Sequence, residues 1–516
     1  MVRSLTVGIL LLLIGRFAAA ADYFVDCAAG NDAADGGSSA RAWKTLEKLS
    51  GHSFMRGDSL RFKRGSKCGG MLWPKGSGTN GSPITLGAYG AGPLPIIQSD
   101  PQHKAALRLF NQEYWEIQDL ELIGGEPYGV WVSGDQGILH HIYLKDLVVH
   151  DVTGELKAKE SGLVIIAPGA VNQHFDDVLV DGITAFHTTQ WAGILVGGGN
   201  FGFPPESTRN TNVIIRNSTV YDVQGDGIIL FRVNHGLIER SVAWYTGMQV
   251  TQTIGTPNAI WTWMCGECIV QYNEAFLTDS PGVDGGAFDI DYGDRNNTVR
   301  YNYAHDTQGY CVAVFGAGFV TENSTVEGNT CVNNGVSPRL ARHQGAIFLL
   351  TWNGGKLKGV TIENNTVQWD PSINAPAIRN GAEFIGPPAI IRDNVICSLC
   401  ISKPEAQNET SYPASFPNLR AYPDKWVLVS MLDGTPDSRS QVVMLKSAQK
   451  QFDGNHLQVL CEHAGVNNAN PGLTTLLVSP ARKVVRRWQG FVPPAELGLA
   501  LRQYLGEPNY AQMRTS

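Results

Sequence analysis

A recurrence between residues 106 and 398 constrains this chain more than any other feature. A small residue followed by alternating apolar positions returns as YGVWVS at 128, SGLVII at 161, AGILVG at 192 and DGIILF at 226. It continues as NAIWTW at 258, GAFDID at 286, YCVAVF at 310 and GAIFLL at 345. Between these runs lies a second, Asn-rich strand type, as in NVIIRNSTVYDV at 212, NTVRYNYAHDTQ at 297 and GVTIENNTVQWD at 359. Short strands in fixed order, with no helices between them, are the signature of a solenoid. Each coil buries little alone, and stacking makes a continuous core of inward Val, Ile and Leu. A β-sandwich is the rival, but no hairpin dipeptides link the strands regularly. The pattern predicts a mainly β chain, a parallel β-helix of about ten coils. The recurring Asn suit its turns, where they tolerate left-handed angles and can bond to their like in adjacent coils.

A chain of 516 residues is too long for one ordinary core but suits a fold that grows along an axis. Its opening, YFVDCAAGNDAADGGSSARAWKTLEKL, then RGDSLRFKRGSKCGGMLWPKGSGTNGSPITLGAYG, resembles the N-terminal segment of exported right-handed β-helix proteins of the pectin-lyase-like superfamily. With the coils, the resemblance covers residues 22–400. It implies a right-handed helix and an exported protein, and leaves activity open among lyases, hydrolases, epimerases and binders.

Residues 1–21 read as a signal peptide: Arg3, the apolar run Leu5 to Gly15, and Ala19-Ala20-Ala21 before Asp22. No stretch is long enough for a membrane span. The mature chain is expected to be secreted or periplasmic, and its nine cysteines fit an oxidising compartment. Cys265/Cys268 and Cys397/Cys400 have zinc-like spacing but fall about four coils apart, roughly 19 Å, too far to share an ion. They are expected to be local disulfides or buried thiols. A net charge of −7 leaves no footprint for nucleic acid.

Residues 401–424, with four prolines, read as a linker. Residues 425–508 then run strand, helix, strand, strand, strand, helix, an order that resembles the thioredoxin fold. Thr435-Pro436-Asp437-Ser438-Arg439-Ser440 stands where the redox cysteines of that fold would be, and Leu473-Thr474-Thr475 where its proline would be. Without a thiolate there is no dithiol exchange. Cys461 is expected in the core. The unit reads as a redox-inactive structural module or a docking module for a protein partner.

Aligning the coils on Gly227, Ala259 and Ala287 turns Phe288 and Ile290 inward and Asp289 and Asp291 outward. The same alignment sets Trp261 and Trp263 outward one coil below, and Ala313 and Phe315 one coil above. Aromatic faces beside carboxylates suit a polysaccharide, neutral or acidic. Asp289, Asp291, His305 and Arg295 are the catalytic candidates; Trp261, Trp263 and Phe315 are those for substrate binding. Arg232 and His235 carry less weight, and His305-Asp306, like His150-Asp151, could simply close a turn. Asp284, Asp289, Asp291 and Asp294 could seat Ca²⁺. The expected function is glycan cleavage, with a polysaccharide lyase acting by β-elimination on a uronate favoured, and an inverting glycoside hydrolase using Asp289 and Asp291, or a non-catalytic carbohydrate-binding or surface protein, as the alternatives. The motifs of polygalacturonases and the arginine context of pectate lyases are missing.

Overall fold

The computed structural model describes residues 20–199, 206–247, 254–282, 284–398, 410–413, 416–417, 419–463, 472–510 and 513. Residues 1–19 of the stretch that reads as a signal peptide, and half of residues 401–424 that read as a linker, lie outside them. The coils form three sheets of 13, 12 and 10 strands, with parallel pairing between coils throughout. The ten coils expected are those that complete the third sheet; the N-terminal turns supply strands only to the other two.

Inward positions stack residue on residue. In the third sheet Val130, Val164, Ile194, Ile228, Ile260, Phe288, Val312 and Ile347 form one column, all fully buried. Each such side chain contributes about 1.5–3 kcal/mol by leaving water. The small residue that opens each run sits where the third sheet passes close to the second. A Cβ on Gly193 would stand 2.2 Å from Val220 Cγ1.

The turn from the first sheet to the second carries the Asn ladder. Asn273, Asn302, Asn329 and Asn365 each donate through Nδ2 to the Oδ1 of the next, ending on Asn394, over 2.9–3.1 Å. Each Oδ1 also accepts a backbone N–H from the coil before, so buried backbone donors are satisfied. Ser241 and Ser218 do the same work upstream. The left-handed residue is the one before each ladder position: Arg240, Tyr272, Tyr301, Gly328, Asn364 and Asp393 all have φ between 51° and 62°.

Cys27–Cys68 and Cys311–Cys331 are disulfides, Cys397 is disulfide-bonded too, and Cys265 and Cys268 are buried free thiols. Cys461 is exposed rather than in the core, since it falls at the solvent end of an edge strand.

The C-terminal unit has strands Trp426–Leu432, Leu457–His463, Thr474–Val478 and Lys483–Gln489, and helices Pro436–Phe452 and Pro494–Leu505. Trp426–Leu432 pairs parallel with Leu457–His463 and antiparallel with Thr474–Val478. The likeness to thioredoxin remains one of element order. The helices pack on the outer face of the second sheet, where Val242, Trp244, Phe276 and Leu277 share a core with Met444, Leu445, Leu497 and Leu501. The segment standing in place of redox cysteines makes polar contacts there. Asp437 accepts from Arg240 at 2.6 Å, Ser440 donates to Asn217 at 2.7 Å, and Arg439 pairs with Asp146. No helix among the described residues is long and apolar enough to cross a membrane.

Candidate functional site

The third sheet's outer face carries the acidic strand Phe288–Ile290, with Asp291 in the turn just beyond it. The register is the one expected: Trp261 pairs with Asp289, and Asp289 with Ala313. Asp284, Asp289 and Asp291 converge on a pocket of about 210 Å³ with Trp261, Trp263, Tyr292, Phe315 and Trp352 in its walls. Lys159, from the loop before the strand Gly162–Ile166, is the one cation in that lining. Its Nζ lies 5.3 Å from the Trp191 and Trp261 rings and 5.9 Å from Trp263.

The three acids differ in setting. Asp289 is 1% exposed, while Asp284 and Asp291 are partly open. The Tyr310 hydroxyl donates to Asn258 Oδ1 at 2.9 Å and lies 3.4 Å from both Asp284 Oδ1 and Asp289 Oδ2. Tyr310 can lie there because residue 286 is Gly: a Cβ would stand 2.1 Å from the ring. Asn258 Nδ2 reaches Asp289 Oδ2 at 3.4 Å, and Asn258 N donates to the buried Asp226. Asp289 Oδ1 is buried without a hydrogen-bond partner.

Side-by-side carboxyls are tolerated here because they need not all be charged. Burial, then the charges of Asp291, Asp284 and Asp294, push Asp289 well above the carboxylate range. Burial also raises Asp291, against the 2.8 Å hydrogen bond its Oδ1 accepts from Tyr292 N. Asp284 is pushed up to about 6 by burial, with Thr256 and Lys159 opposing.

The other candidates lie elsewhere. Asp294 faces the interior, where its oxygens accept from Thr262 Oγ1 at 2.6 Å and Cys265 N at 2.5 Å. Among the described residues no group of three or more His, Cys, Asp and Glu is arranged to hold a metal ion. The four-Asp cation cage expected from sequence is therefore not assembled, because Asp294 turns inward. Arg295 bridges the first-sheet edge and pairs with Glu206 at 3.0 Å. His305 belongs to the second sheet and is fully buried, stacked 4.7 Å from Phe276, with Nδ1 3.0 Å from Asp306 and 3.1 Å from the Tyr510 hydroxyl. It ends a column of stacked rings that begins at His150 and passes through Phe186, Tyr221, Trp244 and Phe276. In both His-Asp pairs the imidazole belongs to a strand and to this column, and the Asp after it has a left-handed φ, 58° at Asp151 and 52° at Asp306. Arg232 and His235 do not line the pocket.

Sequence reasoning missed Lys159, Tyr310 and Trp352 as parts of the site. Trp352 could have been found by extending the outward alternation of GAIFLL by one step. Lys159 arrives from a loop whose path no repeat encodes.

A family model described as "Right handed beta helix region" matches residues 206–367. A lacto-N-biosidase of Bifidobacterium longum subsp. longum is 25% identical to this chain over 465 residues, covering 70% of this chain and 28% of that protein. The chain thus spans little more than a quarter of that relative's length. The crystal structure of a GH136 lacto-N-biosidase from Eubacterium ramulus matches with TM-score 0.54 at 20% identity, over 73% of this chain and 68% of that one. The pectate lyase Pel9A matches with TM-score 0.39 at 13% identity, over 82% and 87%. The chain is a right-handed parallel β-helix protein by sequence match and by structure.

Proposed function

We propose that this protein is an exported glycoside hydrolase acting on an oligo- or polysaccharide. Asp284 is its general acid, and Asp291 is the carboxylate that attacks or activates water. The observation that carries this is two partly open carboxyls converging on an aromatic-walled pocket, both raised by burial, Asp284 to about 6. An acid with a raised pKa keeps its proton near neutral pH and can protonate a leaving-group oxygen. The Tyr292 N–H opposes, without cancelling, the burial that raises Asp291, so its role as the attacking or water-activating carboxylate rests on its place in the pocket. Asp289, the acid favoured from sequence together with Asp291, is too buried to meet a sugar and acts on its neighbours' charge. The indoles offer flat faces for sugar rings.

Elimination on a uronate fits less well. A uronate carboxylate in this pocket would meet three carboxyls whose burial already disfavours negative charge, with Lys159 the one cation in the lining to receive it. The curated relative is by name a glycan-cleaving enzyme, which supports hydrolysis. The disulfides support export.

The test is a screen of purified protein on neutral and acidic glycans, following reducing ends and unsaturated-product absorbance together, with Ca²⁺ or with chelator. Reducing ends without absorbance, unaffected by chelator and lost in Asp284→Asn and Asp291→Asn, are expected. Absorbance that grows and needs Ca²⁺ would replace this reading with a lyase. Binding without turnover would replace it with a carbohydrate-binding protein.

A further inference from the structure

The acid pocket opens into a larger space of about 770 Å³, and the two share Thr256, Asp284, Phe315 and Trp352. The far side of this space is basic: Arg342, His343 and Arg379 line it, and its one carboxylate is Asp284, at the junction. Among the described residues, no ion pair engages any of these three bases. Elsewhere on this surface acids and bases meet, as in Lys356–Glu383 at 2.6 Å and Arg339–Asp279 at 2.5 Å.

The two arginines are held in place. Arg379 Nε donates to Gln344 O at 2.6 Å, which leaves its terminal nitrogens for a ligand. Arg342 Nε donates to His343 Nε2 at 3.1 Å, and the His343 ring rests edge-on against Phe348, 5.5 Å between centroids. Ala341, just before Arg342, has φ 48° and ψ −117°, a conformation that non-glycine residues rarely adopt. The segment is stapled from the other side by Arg339, which also donates to Ser280 O at 2.8 Å. Backbone strain of this kind persists where the surroundings impose it, and it clusters at ligand clamps.

Register fixes the distance to the chemistry. Asp289, Ala313, Phe348 and Arg379 are successive partners on the outer face of the third sheet. Three coils at ~4.8 Å put Arg379 roughly 14 Å from Asp289 along the axis. That is too far to touch the sugar being cleaved and suits one further along the same glycan.

We propose that Arg342 and Arg379 form a binding site for an oxyanion, a uronate carboxylate or a sulfate ester, on a sugar flanking the scissile bond, so that the preferred substrate is an anionic glycan. A paired guanidinium site matches the geometry of carboxylate and sulfate oxygens. The proposal rests on the hydrolase reading for its orientation but not for its test.

Isothermal titration of Asp291→Asn protein with a neutral oligosaccharide and with its uronate-bearing and sulfated counterparts separates the two. One or both anionic ligands are expected to bind roughly 10- to 100-fold more tightly than the neutral one, as charge-assisted hydrogen bonds provide. That advantage is expected to vanish in Arg342→Gln/Arg379→Gln with the melting temperature unchanged, and to shrink with salt. Whichever anion gains more names the source. Equal binding of neutral and anionic ligands, no binding of any, or an advantage that survives the double substitution would overturn the inference. If the anionic ligand binds as expected but wild-type protein releases no reducing ends from it, the hydrolase reading fails and this one stands.

Discussion

Arg502 Nη2 donates to Asp306 Oδ2 over 2.5 Å and ties the last helix to a turn 196 residues earlier in the chain. Arg502 Nε donates to the Tyr303 hydroxyl at 3.0 Å, and the Tyr510 hydroxyl donates to Asp306 Oδ2 at 2.6 Å. Beside them Glu274 accepts from Ser447 at 2.5 Å and Gln451 at 2.8 Å. Arg502→Met takes the guanidinium from Asp306, a partly buried carboxylate, and breaking a fully buried pair costs about 3–5 kcal/mol, which sets the upper bound here. Urea unfolding is expected to report that loss, and Asp306→Asn in the same chain to restore part of it.

This contact has a pH signature. Burial pushes Asp306 up, but hydrogen bonds from His305 and Tyr510 and the charges of His305 and Arg502 outweigh it and hold it well below the carboxylate range. With the folded value depressed, its stabilisation is full above the unfolded value of about 3.9 and is lost as pH falls below it. The melting-temperature gap between wild type and Arg502→Met is therefore expected to be wide at pH ~6 and to close toward pH ~2.

Asp294 works with the opposite sign. Burial pushes it up to about 7, so the folded state keeps a proton that the unfolded chain gives up from about pH 4 upward. Stability should fall as pH rises between those values and level off above. Asp294→Asn keeps an acceptor for Cys265 N and should flatten that part of the curve. The difference is on the order of 4 kcal/mol, at about 1.4 kcal/mol for each pH unit separating the folded and unfolded values. Chemical denaturation at several pH values measures it.

For Asp284 the readout is rate. A general acid must be protonated, so kcat/KM is expected to fall as pH rises through about 6. Asp284→Asn should lower turnover by roughly 10²–10⁴-fold on natural glycans and much less on aryl glycosides, whose leaving groups need no proton. Equal loss on both would assign Asp284 another role.

Removing a ladder rung tests the turn. In Asn302→Ala, Asn273 N and Val270 O lose their buried partners. At about 1–3 kcal/mol per orphaned group, the loss is roughly 2–6 kcal/mol. Asn302→Ser should cost less, because Ser241 and Ser218 already cap earlier turns with a hydroxyl. Thermal melts of the two variants give the order.

The fold was legible because a solenoid writes its geometry locally. Small residues such as Gly193 and inward ones such as Ile260 recur at each coil, and aligning them was enough to pair Trp261 with Asp289. The site was only half legible. Lys159 comes from a connecting segment, whose length changes from coil to coil and whose approach to the sheet follows no period; Asp284 was legible only as a cation ligand, and Tyr310, which opens the YCVAVF run, gave no sign that its hydroxyl would reach the acids. His305 misled because a buried, stacked imidazole and a catalytic one look alike in sequence, and what distinguishes them here is the C-terminal helix lying over it. The stretch Thr435–Ser440 could be recognised as lacking thiols but not as a contact surface. That role depends on Arg240, Asn217 and Asp146, which only folding brings near.

The column running from Trp261 through Asp289 to Arg379 makes the solenoid a ruler. Inserting or deleting one coil between Asp289 and Arg379 would move the basic end against the acids by ~4.8 Å while leaving every contact within a coil as it was. Few folds can change the reach of a binding cleft in fixed steps without rebuilding its walls. In this one the spacing between reacting acid and distant anchor can be inherited, lengthened or shortened as a whole number.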